Sequence, residues 1–187
     1  MLLCDWRYDA VMQTPLPTLF MRGGTSRGPF FKESDLPADI ALRDRILLAV
    51  MGSPDPRQID GLGGAHPLTS KVGIVGLGSS DGVDLTFLFA QLQPNNDTVD
   101  TTPNCGNMLA AVVPFALEKG MVKAQGVTST FRVLTLNTNM ACDITVQTPN
   151  GQVSYEGDAR IDGVPKTSAP ITINFLDTAG SVCSGLL

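Results

Sequence analysis

Between residues 106 and 119 the chain offers almost no polar position: Met108, Leu109, Ala110, Ala111, Val112, Val113, Phe115, Ala116 and Leu117 run on until Glu118 and Lys119. A segment apolar on every side predicts a helix buried all round, and a sheet must wrap it. Gly120 supplies the stop. Pro114 predicts a local bend, because an interior proline removes one hydrogen bond and costs about 3 kcal/mol unless the helix kinks. A second segment is amphipathic instead. In "LPADIALRDRILLAVMG" Ile40, Leu42, Ile46, Leu47 and Val50 recur at helical spacing between a capping Asp39 and a terminating Gly52, which predicts a surface helix with one buried stripe.

Elsewhere the periodicity is that of strands. "LPTLFM" (16–21) and "PFFK" read as strand pieces on either side of the loop "RGGTSRG" (22–28). "KVGIVGL" and "VDLTFLFAQLQ" read as neighbours joined by the turn "GSSDG". "STFRVLTLN", "ACDITVQT", "QVSYEGDARI" and "APITINFL" continue the pattern. Asn150-Gly151 predicts a hairpin between the middle two, since both residues tolerate positive φ. Residues 53–70, "SPDPRQIDGLGGAHPLTS", are rich in Gly, Pro and Asp and form a long loop of the kind that usually carries function. The expected fold class is α+β, with predominantly antiparallel strands around very few helices.

Composition narrows the function classes. The chain has 187 residues, 43% of them hydrophobic, and a net charge of −5 with dispersed Lys and Arg. A substantial core follows, and a nucleic-acid partner is excluded for want of a basic surface. Cys4, Cys105, Cys142 and Cys183 show no CxxC spacing, and His66 is the single histidine, so no metal site is expected. No apolar run approaches the roughly 20 residues that cross a bilayer, so no membrane is expected either. Asp5, Arg7 and Asp9 interrupt any leader, which places the chain in the cytoplasm with reduced thiols. Residues 1–13 read as a disordered extension.

Candidate chemistry gathers at three places. Cys105 precedes the apolar helix, where free N–H groups favour an anion and a thiolate, with Gly106 leaving room for a ligand and Asn107 adding an amide to orient it. The alternative is a small buried thiol with a packing role. Lys71 opens a strand after Ser70; it is either a solvated surface lysine or, facing a pocket, a base. The loop holding Arg22, Gly23, Gly24, Thr25 and Ser26 is either an ordinary turn or a carboxylate cradle. Its order of residues is not that of a phosphate-binding loop, which disfavours nucleotides. His66 reads as structural, and Cys142 and Cys183 as core or surface thiols.

Five stretches, "MRGGTSRG" (21–28), "MGSPDPRQIDGLGG" (51–64), "LTSKVGIV" (68–75), "VDTTPNCGNML" (99–109) and "VQTPNGQVSYEGDARIDGVP" (146–165), together resemble the 2-methylaconitate isomerase and 4-oxalomesaconate tautomerase family, relatives of diaminopimelate epimerase. The resemblance runs in order from about Leu16 to the end. It implies a fold of two similar domains, each a β-barrel-like sheet around a central helix, with the active site in the cleft between them. Residues 14–187 would be the amino-terminal domain, ending in the crossover toward a second domain that another stretch of chain or a homo-oligomer partner must supply.

The same resemblance implies Lys71 as catalytic base and Cys105 as the acid/base thiol, with Ser70, Gly106, Asn107 and the Arg22–Ser26 loop contacting substrate. Arg27 departs from the lysine of many members, and Pro114 is a second departure. The implied activity is a cofactor-independent isomerase that moves a proton on a small di- or tricarboxylate, first of all the keto-enol tautomerisation of 4-oxalomesaconate. Cis-trans or Δ-isomerisation of an aconitate-type acid is the alternative within enzymes. A non-catalytic carboxylate-binding or interaction module is the alternative outside them.

Overall fold

The computed structural model describes residues 13–176. Cys4, Cys183 and nearly all of the expected amino-terminal extension lie outside them. Strand β1 (Leu19–Gly23) turns directly into β2 (Ser26–Lys32), with Arg22 opposite Arg27 and Gly23 opposite Ser26. The expected loop at 22–28 is therefore the tip of a β-hairpin whose turn is only Gly24-Thr25. Gly24 takes φ +52, the left-handed conformation such tight turns require.

Helix α1 (Ile40–Met51) follows as predicted. The Asp39 carboxylate accepts from the Leu42 N–H at 2.8 Å, and Gly52 closes the helix at φ 76. Its buried stripe is Ile46, Leu47 and Met51, while Ile40 at the first position faces solvent. Strands β3 (Lys71–Leu77) and β4 (Leu85–Leu92) pair antiparallel, and the short β5 (Val99–Asp100) adds to the end of β4. β6 (Thr128–Thr135), β7 (Met140–Gln147) and β8 (Thr172–Phe175) complete an 8-stranded sheet of order β1-β2-β3-β4-β6-β7-β8, with β5 beside β4. The β2–β3 and β4–β6 pairs are parallel and the others antiparallel.

Both faces of the central strands are covered. Phe30, Val75, Phe87, Phe89, Phe131 and Ile144 pack with the apolar helical segment on one face, and Phe31, Val72, Ile74, Ala90 and Leu92 pack with α1 on the other. This explains why β3 is apolar at successive positions instead of alternating. The helical segment touches β1, β2, β3, β4 and β7, so the sheet wraps it as the sequence required.

Two expectations need correction. The segment 106–119 is not one helix but a single turn, α2 (Gly106–Leu109), followed by α3 (Val112–Glu118). Pro114 is the cause. Its ring excludes the carbonyl four residues back, at Ala110, where the break falls, and it ends up in the first turn of α3, where no N–H is needed. The second correction is the Asn-Gly hairpin. Asn150 and Gly151 do adopt positive φ (59° and 77°), but within a 3₁₀ turn, and β7 pairs with β8 instead of with 152–161. Glu156, Gly157 and Asp158 interrupt that stretch and give it no continuous apolar face, whereas "TINF" in β8 has two β-branched residues and an aromatic.

Candidate active site

Period-two alternation decides what Lys71 and Ser70 can do, because neighbours on a strand point to opposite faces. Lys71 shares the face of Val75 and looks toward α2, where its Nζ lies 3.3 Å from Cys105 Sγ. Both residues are 8% exposed, and the Phe89 ring lies beneath the amine with its centroid 5.2 Å from Nζ. A protonated amine at that distance gains from the ring quadrupole. Ser70 falls on the other face. Its hydroxyl is fully buried, donating toward Gln58 Oε1 and the His66 carbonyl, each at 2.9 Å. The structure thus places Ser70 on the face opposite Lys71, where it anchors the long loop.

Cys105 occupies the N-cap of α2, and its side chain makes no capping bond, so the sulfur is free for Lys71. The backbone around it is pinned. Asn104 accepts from the Cys105 N–H at 3.1 Å and donates to Thr135 and Thr138 at 3.3 and 3.1 Å. Because α2 is one turn long, a summed helix dipole contributes little; what remains of that expectation is the local N–H groups of the turn. Gly106 opens onto free space, since a β-carbon placed there would meet no atom within 4 Å. A ligand has access to the backbone beside the thiol.

The hairpin tip forms the adjoining wall. Asn107 Nδ2 donates to Thr25 Oγ1 at 2.9 Å, joining α2 to the turn across 82 residues of sequence. Side chains at Gly23 or Gly24 would collide with the Asn107 carbonyl and side-chain amide. These glycines therefore serve close packing, and Asn107 Nδ2 ties the helical turn to the hairpin. Arg22 is exposed, its Nη1 donating to the Gly24 carbonyl at 2.6 Å. Ser26 is different. It is 1% exposed, and its Oγ is the buried side-chain N or O atom without a hydrogen-bond partner among the described residues. Two residues along the same face, Gly28 abuts the Lys71 carbonyl and the Met108 methyl, so Ser26 faces the α2 side. An unsatisfied buried hydroxyl costs about 1–3 kcal/mol and is the kind of group a polar ligand relieves.

Gln58 escaped the reading of the sequence. It is buried within the 53–70 loop at φ 48, with its amide engaged on both ends: Oε1 accepts from Ala65 N–H and from Ser70, each at 2.9 Å, and Nε2 donates to Ser53 Oγ at 3.1 Å. It holds the loop against the first residues of β3, immediately before Lys71. The available signal was a lone amide amid Gly, Pro and Asp. His66 is structural as expected, its Nδ1 accepting from the Leu68 N–H at 3.1 Å. Cys142 is a core thiol, pushed up to about 11 by burial and then by the charge of Asp143. Among the described residues no three of His, Cys, Asp and Glu gather to hold a metal, and no helix is long and apolar enough to cross a membrane.

A curled mixed sheet wraps a broken apolar helix, with a buried lysine against a cysteine at its N-terminal end, the class of scaffold found in diaminopimelate-epimerase-like folds. Residues 13–187 match the family described as PrpF protein. The chain belongs to the PrpF family. It is 54% identical over 171 residues to a (4E)-oxalomesaconate Delta-isomerase of Novosphingobium sp., covering 91% of this chain and 48% of that protein. It is 53% identical over 175 residues to a 4-oxalomesaconate tautomerase of Pseudomonas putida, covering 94% and 48% respectively. The crystal structure of a methylitaconate-delta-isomerase superposes with a TM-score of 0.85 at 45% identity, over 88% of this chain and 43% of that one. The chain therefore spans about half the length of the curated relatives it matches.

Proposed function

We propose that this chain is the Lys–Cys half of a cofactor-independent isomerase of small unsaturated polycarboxylates, completed by a second domain on another stretch of chain or another molecule. The observation that carries the reading is the buried contact of 3.3 Å between Lys71 Nζ and Cys105 Sγ. The neutral amine of Lys71 takes a proton from a carbon made acidic by an adjoining carbonyl or carboxyl group. The charge left behind spreads over a dienolate, held beside the new ammonium and the N–H groups near Gly106. The Cys105 thiol returns a proton at the other end of the conjugated system. Ammonium then passes its proton to thiolate across the direct contact, and the pair is reset without help from solvent. Ser26 Oγ supplies a hydrogen bond to a substrate carboxylate, and Arg22 supplies charge at the rim.

The first substrate assignment is 4-oxalomesaconate undergoing keto-enol tautomerisation, as the name of the Pseudomonas relative suggests. Δ-isomerisation, named for the Novosphingobium relative at nearly equal identity, uses the same two groups and differs in which atom regains the proton. Proton NMR of the product separates them, because only the second places a hydrogen on a new carbon. In the full-length protein Lys71→Met is expected to lower kcat by about 10²–10⁴-fold, the usual worth of a positioned acid/base group, with KM little changed. An unaltered kcat would overturn the base assignment. If the 187-residue chain alone turned over substrate at the full-length rate, the requirement for a second domain would fall; carboxylate binding without turnover in the full-length protein would favour the binding-module alternative.

A further inference from the structure

A nitrogen nucleophile held against a sulfur has a chemistry beyond proton transfer. Oxidation of a thiol to sulfenic acid turns its sulfur into an electrophile, and a neighbouring nitrogen can condense with it to a sulfenamide. Lys71 Nζ lies 3.3 Å from Cys105 Sγ, both residues are 8% exposed, and the sulfur has no capping bond to hold it elsewhere. A β-carbon at Gly106, the residue next to the thiol, would meet no atom within 4 Å, so the backbone beside Cys105 is open on that side. We propose that Cys105 and Lys71 are a modification site at which peroxide drives formation of a covalent, thiol-reversible N–S link.

The steps balance. Peroxide transfers one oxygen to the Cys105 thiol, giving sulfenic acid and water; sulfur loses two electrons and the peroxide gains them. The neutral Lys71 amine then attacks sulfur. The N–S bond forms, the S–O bond breaks, and the departing hydroxide takes a proton from nitrogen to leave as a second water. An added thiol reverses the link by attacking sulfur, and a second equivalent completes the reductant's own disulfide, restoring the Cys105 thiol and Lys71 amine. The link stops sulfur from passing through sulfenic acid to the irreversible acids. Cys142 is an internal control: it is fully buried, its Sγ donates to the Val133 carbonyl at 3.7 Å, and burial pushes its thiol up to about 11, which suppresses the reactive thiolate.

The test uses the 187-residue chain with Cys4→Ser and Cys183→Ser, treated with a small excess of hydrogen peroxide and followed by intact mass and peptide mapping. The main species is expected to lose about 2 Da, to map as a Lys71–Cys105 cross-link, and to return to the starting mass with a thiol reductant. Lys71→Met and Lys71→Arg are each expected to gain about 16 or 32 Da at Cys105 instead. An unmodified Cys142 confirms that each variant is folded. The proposal is overturned if the Lys71 chain gains those oxygens like its variants. A loss of mass mapping to Cys142, or a cross-link retaining an oxygen between nitrogen and sulfur, overturns it equally. No turnover is measured, so failure of the link and failure of the acid–base reading remain separate results.

Discussion

Gln58→Met tests whether the loop before Lys71 is held from within. Methionine preserves the length of the side chain and its fit in the core but removes every polar atom of the amide. The partners fare differently. Ser53 keeps a hydrogen bond to the Gln93 carbonyl at 3.0 Å, and Ser70 keeps its bond to the His66 carbonyl at 2.9 Å. The Ala65 N–H, bonded to Gln58 Oε1, is the donor left in need of a partner. One orphaned donor at about 1–3 kcal/mol, with smaller losses at the two hydroxyls, sums to roughly 2–4 kcal/mol. For a chain of this size each kcal/mol moves Tm by about 2–4 °C, so the expected fall is about 6–12 °C for a loss near 3 kcal/mol. Thermal unfolding by circular dichroism measures it, and limited proteolysis should place the first new cleavages in 53–70. A Tm within about 2 °C of the parent, with that loop still protected, would refute the strut assignment.

Three further outcomes follow from the geometry. Gly106→Ala in the full-length protein should leave Tm unchanged or slightly raised, because the methyl meets open space in a helical turn, while KM rises by about tenfold, or ~1.4 kcal/mol; unchanged KM would mean that no ligand approaches there. The Arg132 guanidinium, bonded to Asp143 at 2.8 and 3.1 Å, holds that carboxyl below its ordinary value of 3.8. A depressed folded-state value means stability present above about pH 4 and lost as pH falls through the folded value, so Asp143→Asn should be less stable at pH 6 and decline less steeply in acid, as read from urea midpoints. With a Cys142 thiol near 11, about one in a thousand is ionised at pH 8, so iodoacetamide should label Cys105 long before Cys142; simultaneous labelling would contradict the burial of Cys142.

Local signals carried as much of the fold as local physics controls. Asp39 and Gly52 bounded α1 because capping and left-handed closure are decided within a turn of the residues concerned. Pro114 was legible as a fault, but the break falls four residues earlier because the ring acts on the Ala110 carbonyl. Asn150-Gly151 kept its preferred φ values and still made no hairpin, because pairing depends on what the following strand can bury. At the site, strand alternation alone puts Ser70 and Lys71 on opposite faces, a point the family resemblance, which set both beside substrate, did not carry. The meeting of Lys71 with Cys105 came from the family resemblance, since no pattern within one strand or one turn specifies a contact across 34 residues. Gln58 left only a weak signal, a lone amide amid Gly, Pro and Asp, because buried polar residues in loops have no period.

The pairing of β2 with β3 begins at Phe30, six residues from the Gly24 turn, so the hairpin tip extends roughly 20 Å past its last parallel rung. It is a cantilever, clamped at its free end by the Thr25–Asn107 bond and by glycine packing. Raising that end breaks that hydrogen bond, worth about 1 kcal/mol, and uncovers Ser26 and the close glycine contacts, but it breaks no rung shared with β3. The rim bearing Arg22 and Ser26 is thus held to the amine and thiol only through α2, while those two groups are anchored separately on β3 and α2.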